Sequence, residues 1–131
     1  MKAFHTATAL IEIGAGLALL ALPAATVVLL VGAPLTTPAA LCVARVGGAG
    51  LLALGVACWL ARGDTQSHAG RSLVAALLGY NFAAATILAY AALGYGLHGV
   101  ALWPAVILHV GMACWGGACL RCGLRDTEKR S

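Results

Sequence analysis

Four apolar runs of helix length, separated by short breaks, dominate the chain. They cover residues 4–31, 39–61, 72–94 and 100–120. Each run reaches or exceeds the ~20 residues that a helix needs to cross a bilayer. No segment alternates apolar and polar residues as a half-buried strand would. The pattern therefore predicts an all-α integral membrane protein with four crossings.

Short connections are predicted where the runs are interrupted. Residues 32–38 contain two prolines, which lack the N–H group that a continuing helix needs. Residues 62–71 are polar, and residues 94–99 are rich in glycine. Helices joined by such short loops pack as antiparallel neighbours. We therefore expect an up-down four-helix bundle with short loops.

The whole chain, residues 1–131, is predicted to form one transmembrane domain. Pro23 interrupts the first run, and a proline inside a helix produces a kink. The N-terminal run has features of a secretory signal peptide, but its length and the central Glu12 favour a retained helix. Residues 121–131 are polar and basic, and they are expected to form a solvated cytoplasmic tail.

The composition excludes an ordinary soluble domain. Hydrophobic residues make up 62% of the chain and charged residues only 9%, whereas a soluble domain carries roughly 25% charged residues. The mean hydropathy is +0.95. Eight basic and four acidic side chains cannot cover a folded chain of this size with polar surface. Most of the surface is therefore expected to face lipid.

The basic residues are distributed asymmetrically along the chain. Seven of the eight flank one side of the predicted bundle, and the loops of the other side contain none. The eighth, Arg45, lies within the second run and is expected to extend to the outer surface. The flanking residues are Lys2, Arg62, Arg71, Arg121, Arg125, Lys129 and Arg130. Because cytoplasmic loops carry an excess of Lys and Arg, we predict that both termini are cytoplasmic. The net charge of +4 has this origin, and no basic stripe with stacking aromatics indicates nucleic-acid binding.

Small residues mark the second run as a packing surface. Ala44, Gly48 and Gly55 lie four and seven residues apart, which places them on one face of a helix. Lipid provides no hydrophobic drive between helices, so close approach along such ridges contributes much of the packing. We predict that the ridge packs within the chain, with a second protomer or another membrane protein as the alternative.

Three polar residues interrupt the apolar runs at similar depth. Counting ~1.5 Å per residue from the cytoplasmic boundary places Glu12 about 12 Å, Asn81 about 15 Å and His109 about 18 Å deep. Tyr80 lies beside Asn81 and offers a hydroxyl group. An ionisable group inside a bilayer indicates function by default. This layer is predicted either to fix helix register or to exchange protons through Glu12 and His109.

Five cysteines are present, and two of them form a C-x-x-C motif at the end of the fourth run. These are Cys119 and Cys122. A reducing compartment disfavours a disulfide. A zinc site would need two further ligands, for which only Cys58, His68 and His5 lie at a comparable depth. We expect both thiols to be reduced and unligated, with metal binding, redox chemistry or a palmitoyl-like modification as the alternatives. Motifs for haem, phosphate or dinucleotides are absent from the sequence, so no cofactor, metal or catalytic residue is predicted.

Two segments resemble known membrane proteins. They are Glu12-Ile-Gly-Ala-Gly-Leu in the first run and Arg45-Val-Gly-Gly-Ala-Gly-Leu-Leu-Ala-Leu-Gly55 in the second. Both are similar to segments of the DoxX-like and related small four-helix bacterial membrane families. No family is assigned from this resemblance, and the expected location is a bacterial inner membrane, with the four crossings that the hydrophobic pattern predicts. The resemblance covers two of the four runs, and no residue role follows from it.

Two functions from different classes fit these features, and neither is enzymatic. The first is a non-catalytic accessory or assembly subunit of a larger membrane complex, because the chain is short, has short loops and carries little polar chemistry. The second is a small oligomeric carrier or channel that uses Glu12, Asn81 and His109. The expected partners are the lipid bilayer and either another membrane protein or a second copy of the chain.

Overall fold

The computed structural model describes residues 1–64 and 67–128. The described ranges form five helices and no strand. The helices are α1 (Lys2–Ala21), α2 (Pro23–Val31), α3 (Pro38–Ala61), α4 (His68–Tyr95) and α5 (Leu102–Glu128). Four of them, α1, α3, α4 and the Leu102–Cys122 part of α5, are long and apolar enough to cross a membrane. The predicted all-α fold, with four helices able to span a membrane, is confirmed.

Two helices, α1 and α2, replace the single first helix that the sequence predicts over residues 4–31. Pro23 has no N–H group and cannot continue α1, and Leu22 leaves the helical region with φ −131° and ψ 55°. The Thr26 hydroxyl then donates to the carbonyl oxygens of Ala18, at 3.1 Å, and of Leu22, at 2.8 Å. The interruption is therefore a complete helix break with its own hydrogen bonds, and not the kink that was expected.

The last helix, α5, continues beyond the predicted end at residue 120 and reaches Glu128. Residues 121–128 contain no proline and include Arg, Leu and Glu, which favour helix. The expected solvated tail over residues 121–131 is therefore helical as far as Glu128. Residues 129–131 lie outside the described residues.

Capping residues define the remaining helix ends. Thr37 and Ser67 each accept a backbone N–H of the first turn through the side-chain oxygen, at 3.1 and 3.0 Å, before α3 and α4 respectively. Gly32 follows α2 with φ 76°, and Gly96 follows α4 with φ 65°. Glycine adopts this left-handed conformation without the steric penalty of a Cβ atom. The connections therefore stay short.

The helices form two antiparallel pairs, α1 with α3 and α4 with α5. Met1 packs against the same cluster as Leu73 and Leu120, so the start of α1, the start of α4 and the later part of α5 lie at one side. We call this the terminal side, and the side that holds the connections at residues 32–37 and 96–101 the opposite side. On the opposite side, the Ala101 N–H donates to the Leu29 carbonyl oxygen at 2.9 Å and joins α5 to α2.

A cluster of buried apolar side chains lies in the terminal half of the bundle, and Ala85, Ala92, Leu102 and Val106 are buried outside it. The Phe4 ring of α1 meets Trp115 of α5 edge-on, with centroids 5.6 Å apart. This contact links the two helix pairs. The buried members of this cluster are Phe4, Ala9, Cys58, Val74, Leu77 and Met112.

Glycines bring the backbones of α1 and α3 into close contact. A Cβ atom at Gly16 would lie 2.7 Å from the Gly48 carbonyl oxygen, and one at Gly48 would lie 2.9 Å from the Gly16 carbonyl oxygen. A Cβ atom at Gly55 would lie 2.8 Å from the Ile13 nitrogen. Gly48 and Gly55 are buried and Ala44 is partly buried. The ridge of the second predicted run thus packs against α1, and Gly16 supplies the matching surface.

Candidate functional site

Four polar side chains lie together in the middle of the bundle, and we call Glu12, Tyr80, Asn81 and His109 the polar cluster. The Tyr80 hydroxyl donates to Glu12 Oε2 at 3.3 Å. The Tyr80 and His109 rings meet edge-on with centroids 5.7 Å apart. His109 Nδ1 lies 2.8 Å from Asn81 Oδ1. The structure therefore brings the three residues of the predicted polar layer together, with Tyr80 as the bridge between Glu12 and His109.

Adjacent positions on α4 allow this bridge. Consecutive residues of a helix point about 100° apart, so Tyr80 reaches Glu12 of α1 while Asn81 reaches His109 of α5. Glu12 is 3% exposed and Asn81 is 2% exposed, whereas Tyr80 and His109 are partly exposed. The cluster is therefore enclosed at Glu12 and Asn81 and open at the two rings.

The Asn81 amide determines the tautomer of His109. Its Nδ2 group donates to the Leu77 carbonyl oxygen at 2.8 Å, which leaves Oδ1 to accept the hydrogen bond from His109. The hydrogen of the neutral imidazole must then be on Nδ1. Nε2 consequently carries a lone pair and is available as an acceptor.

A cavity of about 390 Å³ extends from the polar cluster toward the opposite side. Glu12, Tyr80 and His109 lie at one end of it, and Leu30 and Ala101 at the other. Other apolar wall residues are Leu19, Leu29, Leu51, Ile87, Leu88 and Leu108. Among the described residues that line the cavity, one is acidic and none is Lys or Arg. Its volume lies within the range of roughly 300–1,000 Å³ that small-molecule sites occupy.

Two further polar residues of α1 are buried between the polar cluster and the terminal side. His5 is 0% exposed and Thr8 is 1% exposed. Neither ring nitrogen of His5 nor the Thr8 hydroxyl oxygen has a hydrogen-bond partner among the described residues. From the sequence, His5 was considered only as a possible zinc ligand, and Thr8 was not assigned to the polar layer. Thr8 and Glu12 follow His5 by three and seven residues, which places all three on one helix face. This spacing could have indicated that they are buried together.

The cysteines lie on two helices, Cys42 and Cys58 on α3 and the other three on α5, and all are free thiols. Cys122 is exposed and Cys119 is partly buried, whereas Cys58 is buried in the core. Cys122 lies with Arg121 and Cys114 along a groove of about 620 Å³ between α4 and α5. Within the described part of the chain, no three His, Cys, Asp or Glu side chains are grouped so that they could hold a metal ion.

The polar cluster combines a carboxyl group, a phenol and an imidazole acceptor at the end of an apolar cavity. Such a set can take up or release a proton and can accept hydrogen bonds from a bound molecule. No protein-family model, curated protein or solved structure matches the chain.

Proposed function

We propose that this protein is a small membrane carrier that binds an amphipathic amine in the cavity and exchanges it for the proton of Glu12. One observation carries the proposal. Glu12 is the single acidic residue of the four spanning helices, and it lies at the end of an apolar cavity. A carboxyl group at the end of a cavity can contact a bound molecule, whereas one that faces lipid or is tightly packed cannot.

The charge of the cavity favours a cationic or donating head group. Its described lining contains Glu12 and neither Lys nor Arg, so an anion would find no positive partner there. His109 Nε2 accepts hydrogen bonds in the tautomer that Asn81 sets. An ammonium group could therefore pair with the Glu12 carboxylate and donate to His109 Nε2.

The apolar wall suits the remainder of such a molecule. Leu30, Ile87 and Leu108 line the cavity beyond the polar cluster. Burial of an apolar body contributes about 0.8 kcal/mol per CH₂ group when the ligand arrives from water. An amine with one short apolar body of a few carbons therefore matches both ends of the cavity.

The exchange follows from the low dielectric environment of Glu12. A carboxylate without a partner is unfavourable inside a bilayer, so the empty site keeps its proton. An arriving ammonium group replaces that proton: the carboxylic acid releases H⁺ to water, and the carboxylate pairs with the ammonium ion. One proton leaves for each cation that binds, which couples the movement of the amine to a proton moving the other way.

The test uses three probes that share one apolar body: 4-phenylbutylamine, 4-phenylbutanol and 4-phenylbutyrate. Binding to the full chain in lipid nanodiscs is measured by calorimetry in two buffers of different ionisation enthalpy, which counts the protons released. We expect the amine to bind with release of about one proton, and the Glu12→Gln variant to lose tenfold or more of the affinity, about 1.4 kcal/mol. Asp64→Asn, which removes an exposed carboxyl group outside the cavity, is the matched control.

Three results would contradict the carrier proposal. Equal binding of the amine to wild-type and Glu12→Gln protein would show that the carboxyl group takes no part. Preferential binding of 4-phenylbutyrate would show that the charge argument is wrong. Binding of the alcohol as well as the amine, without proton release, would reduce the site to a neutral binding pocket.

A second candidate function is the non-catalytic accessory or assembly subunit, which a different observation favours. Ala75, Gly79 and Ala83 follow one another at four-residue spacing on α4 and are exposed, and nothing lies within 4 Å of a Cβ atom placed at Gly79. Ridges of this kind bind other helices in membranes. Mild-detergent purification from the native host tests it, because a stoichiometric larger partner is expected, and Glu12→Gln should leave that complex intact.

The orientation in the membrane belongs to the same proposal. The terminal side carries Lys2, Arg62, Arg71 and Arg121, while residues 32–37 and 96–101 contain no Lys or Arg. Arg45 lies in the half of α3 nearer the opposite side. This distribution supports cytoplasmic termini by the positive-inside rule. In a bacterial inner membrane, the cavity would then extend from the polar cluster toward the periplasmic side.

A further inference from the structure

The groove of about 620 Å³ between α4 and α5 lies on the outer surface of the bundle. It is lined by Leu78 of α4 and by small residues of α5, which are Ala113, Cys114, Gly117 and Ala118. Nothing lies within 4 Å of a Cβ atom placed at Gly117. The small residues therefore leave open space that no described helix of this chain fills.

The depth of the groove corresponds to one leaflet of a bilayer. Its lining on α5 runs from Ala113 to Cys122, about 14 Å at ~1.5 Å per residue. The hydrocarbon layer is roughly 30 Å thick, so each leaflet contributes about 15 Å. Cys122 ends the apolar span Leu102–Cys122, which places one end of the groove at the terminal-side boundary and the other near the middle of the membrane. A packed helix would run through the whole layer, whereas an acyl chain of the terminal-side leaflet ends where the groove ends.

Two arginines lie at the terminal-side end of the groove, which we call its mouth. Arg121 lines the groove and is exposed. Arg71 is in the first turn of α4, seven residues before Leu78, and two helical turns place both on one face of that helix. The described lining of the groove contains no Asp or Glu. The mouth therefore suits an anion, and guanidinium groups bind phosphate through paired hydrogen bonds.

We propose that the groove binds one anionic phospholipid of the terminal-side leaflet. An acyl chain lies along Ala113, Gly117 and Ala118, and the phosphate pairs with Arg121 and Arg71. Basic pockets between transmembrane helices bind anionic head groups in this way. A zwitterionic lipid would bring a cationic group to the two arginines, which weakens its binding. A second copy of the chain in the same orientation would bring its own arginines to the same depth, where like charges repel.

This lipid site is separate from the proposed amine carrier. Among the described residues, none lines both the groove and the central cavity that contains Glu12. Failure of the amine to bind would therefore leave the lipid site untouched, and failure of the lipid to bind would leave the amine site untouched.

Native mass spectrometry of the full chain counts the lipids that it retains. The protein in detergent receives equal amounts of dioleoyl phosphatidylglycerol and dioleoyl phosphatidylcholine, which have the same acyl chains. We expect one phosphatidylglycerol to be retained at least about fivefold in preference to phosphatidylcholine, and Arg121→Gln to remove about fivefold of that preference, because each basic residue near a membrane surface contributes about this factor.

Arg62→Gln is the matched control for the charge. Arg62 is also at the terminal side, but its guanidinium group stacks on the Trp59 ring at 3.8 Å from the centroid, and it does not line the groove. We expect this variant to retain phosphatidylglycerol as the wild type does. Equal retention by the wild-type and Arg121→Gln proteins would overturn the proposal, and so would equal loss in Arg62→Gln and Arg121→Gln.

A second pair of variants tests the groove itself. Gly117→Leu places a side chain in the space that the acyl chain needs. Gly111→Leu adds the same side chain on α5 at an exposed position that has nothing within 4 Å of its Cβ atom and does not line the groove. We expect Gly117→Leu to lose the retained phosphatidylglycerol and Gly111→Leu to keep it, while circular dichroism shows the same helical content in both. Retention by both variants would overturn the proposal.

Three further results would assign the groove to a different occupant and overturn the lipid site. Displacement of phosphatidylglycerol by glycerol phosphate, which has no acyl chain, would show a site for free phosphate. Equal retention of dioleoylglycerol, which has no phosphate, would show a purely apolar site. A dimer that retains no lipid and that Gly117→Leu dissociates would show a surface for a second copy of the chain. We expect none of these three results.

Discussion

The contact between Gly48 of α3 and Gly16 of α1 can be tested by adding a single methyl group. In Gly48→Ala, the new Cβ atom would lie 2.8 Å from Leu19 Cβ and 2.9 Å from the Gly16 carbonyl oxygen. Both neighbours belong to α1, and neither is the free end of a flexible side chain. The helices must therefore move apart, because no local rotation removes the clash.

The expected loss of stability follows from these distances. Non-bonded heavy atoms prefer a separation of roughly 3.5 Å, so α1 and α3 must separate by about 0.6–0.7 Å at this point. A gap of that size already removes a quarter to a half of the attraction between the atoms that face it. Overpacking of this kind costs roughly 1–3 kcal/mol. We expect the Gly48→Ala variant to lose that amount relative to a glycine-to-alanine change in open space.

Gly47→Ala supplies the reference. Nothing lies within 4 Å of a Cβ atom at Gly47, and the residue is exposed. Both substitutions gain the same intrinsic helix preference of up to ~1 kcal/mol. The difference between the two variants therefore isolates the steric cost at the α1–α3 contact.

Reversible unfolding in mixed micelles, followed by circular dichroism at increasing denaturing-detergent content, gives the free energy of unfolding of each variant. Gly48→Leu, with a larger side chain at the same point, should prevent stable packing while membrane insertion persists. If Gly48→Ala and Gly47→Ala unfolded with the same free energy, the close approach of the two backbones would be refuted.

Three further predictions concern other parts of the molecule. Asn81→Leu should lower the free energy of unfolding by about 0.6–1.7 kcal/mol, the range measured for interhelical hydrogen bonds in membranes. In the same assay, Thr86→Val should change this free energy little, because it removes only a local hydrogen bond to the Phe82 carbonyl oxygen. Reporter fusions that are active only outside the cytoplasm should work after Pro38 or Gly96, and a strong signal from a fusion at Ser131 would reverse the proposed orientation. Thiol titration should find rapid reaction at the exposed Cys122 and slow reaction at the buried Cys58, and zinc or iron retained in stoichiometric amount would instead indicate a metal site at Cys119 and Cys122.

The sequence predicts the crossings well because the physical requirement is simple. A span needs length and apolar side chains, and four runs meet both conditions. The ends are less predictable, since they depend on local hydrogen bonds. Pro23 indicates an interruption, but the double hydrogen bond from Thr26 that makes it a full break involves a partner eight residues away. The end of α5 is missed because polar residues outside the lipid can still be helical.

The polar residues show a similar limit. The depth of each residue along a straight helix is enough to group Glu12, Asn81 and His109, because depth follows directly from the number of residues to the membrane boundary. The direction of each side chain depends on how the helices rotate against each other, and a list of depths does not contain that rotation. Tyr80 therefore enters as the bridge only in the structure. The burial of His5 was not predicted, because a single histidine near a helix start is usually solvated.

The helix break at Leu22 also affects how the chain meets bilayers of different thickness. At ~1.5 Å per residue, the 20 residues of α1 and the 9 of α2 make about 44 Å of helix, against about 36 Å for the 24 residues of α3. A straight first span would have to tilt to hide its surplus length in a hydrocarbon layer of roughly 30 Å. The break allows α2 to absorb that mismatch on the opposite side. Changes in lipid chain length should therefore bend the molecule at Leu22 while α1 stays aligned with α3.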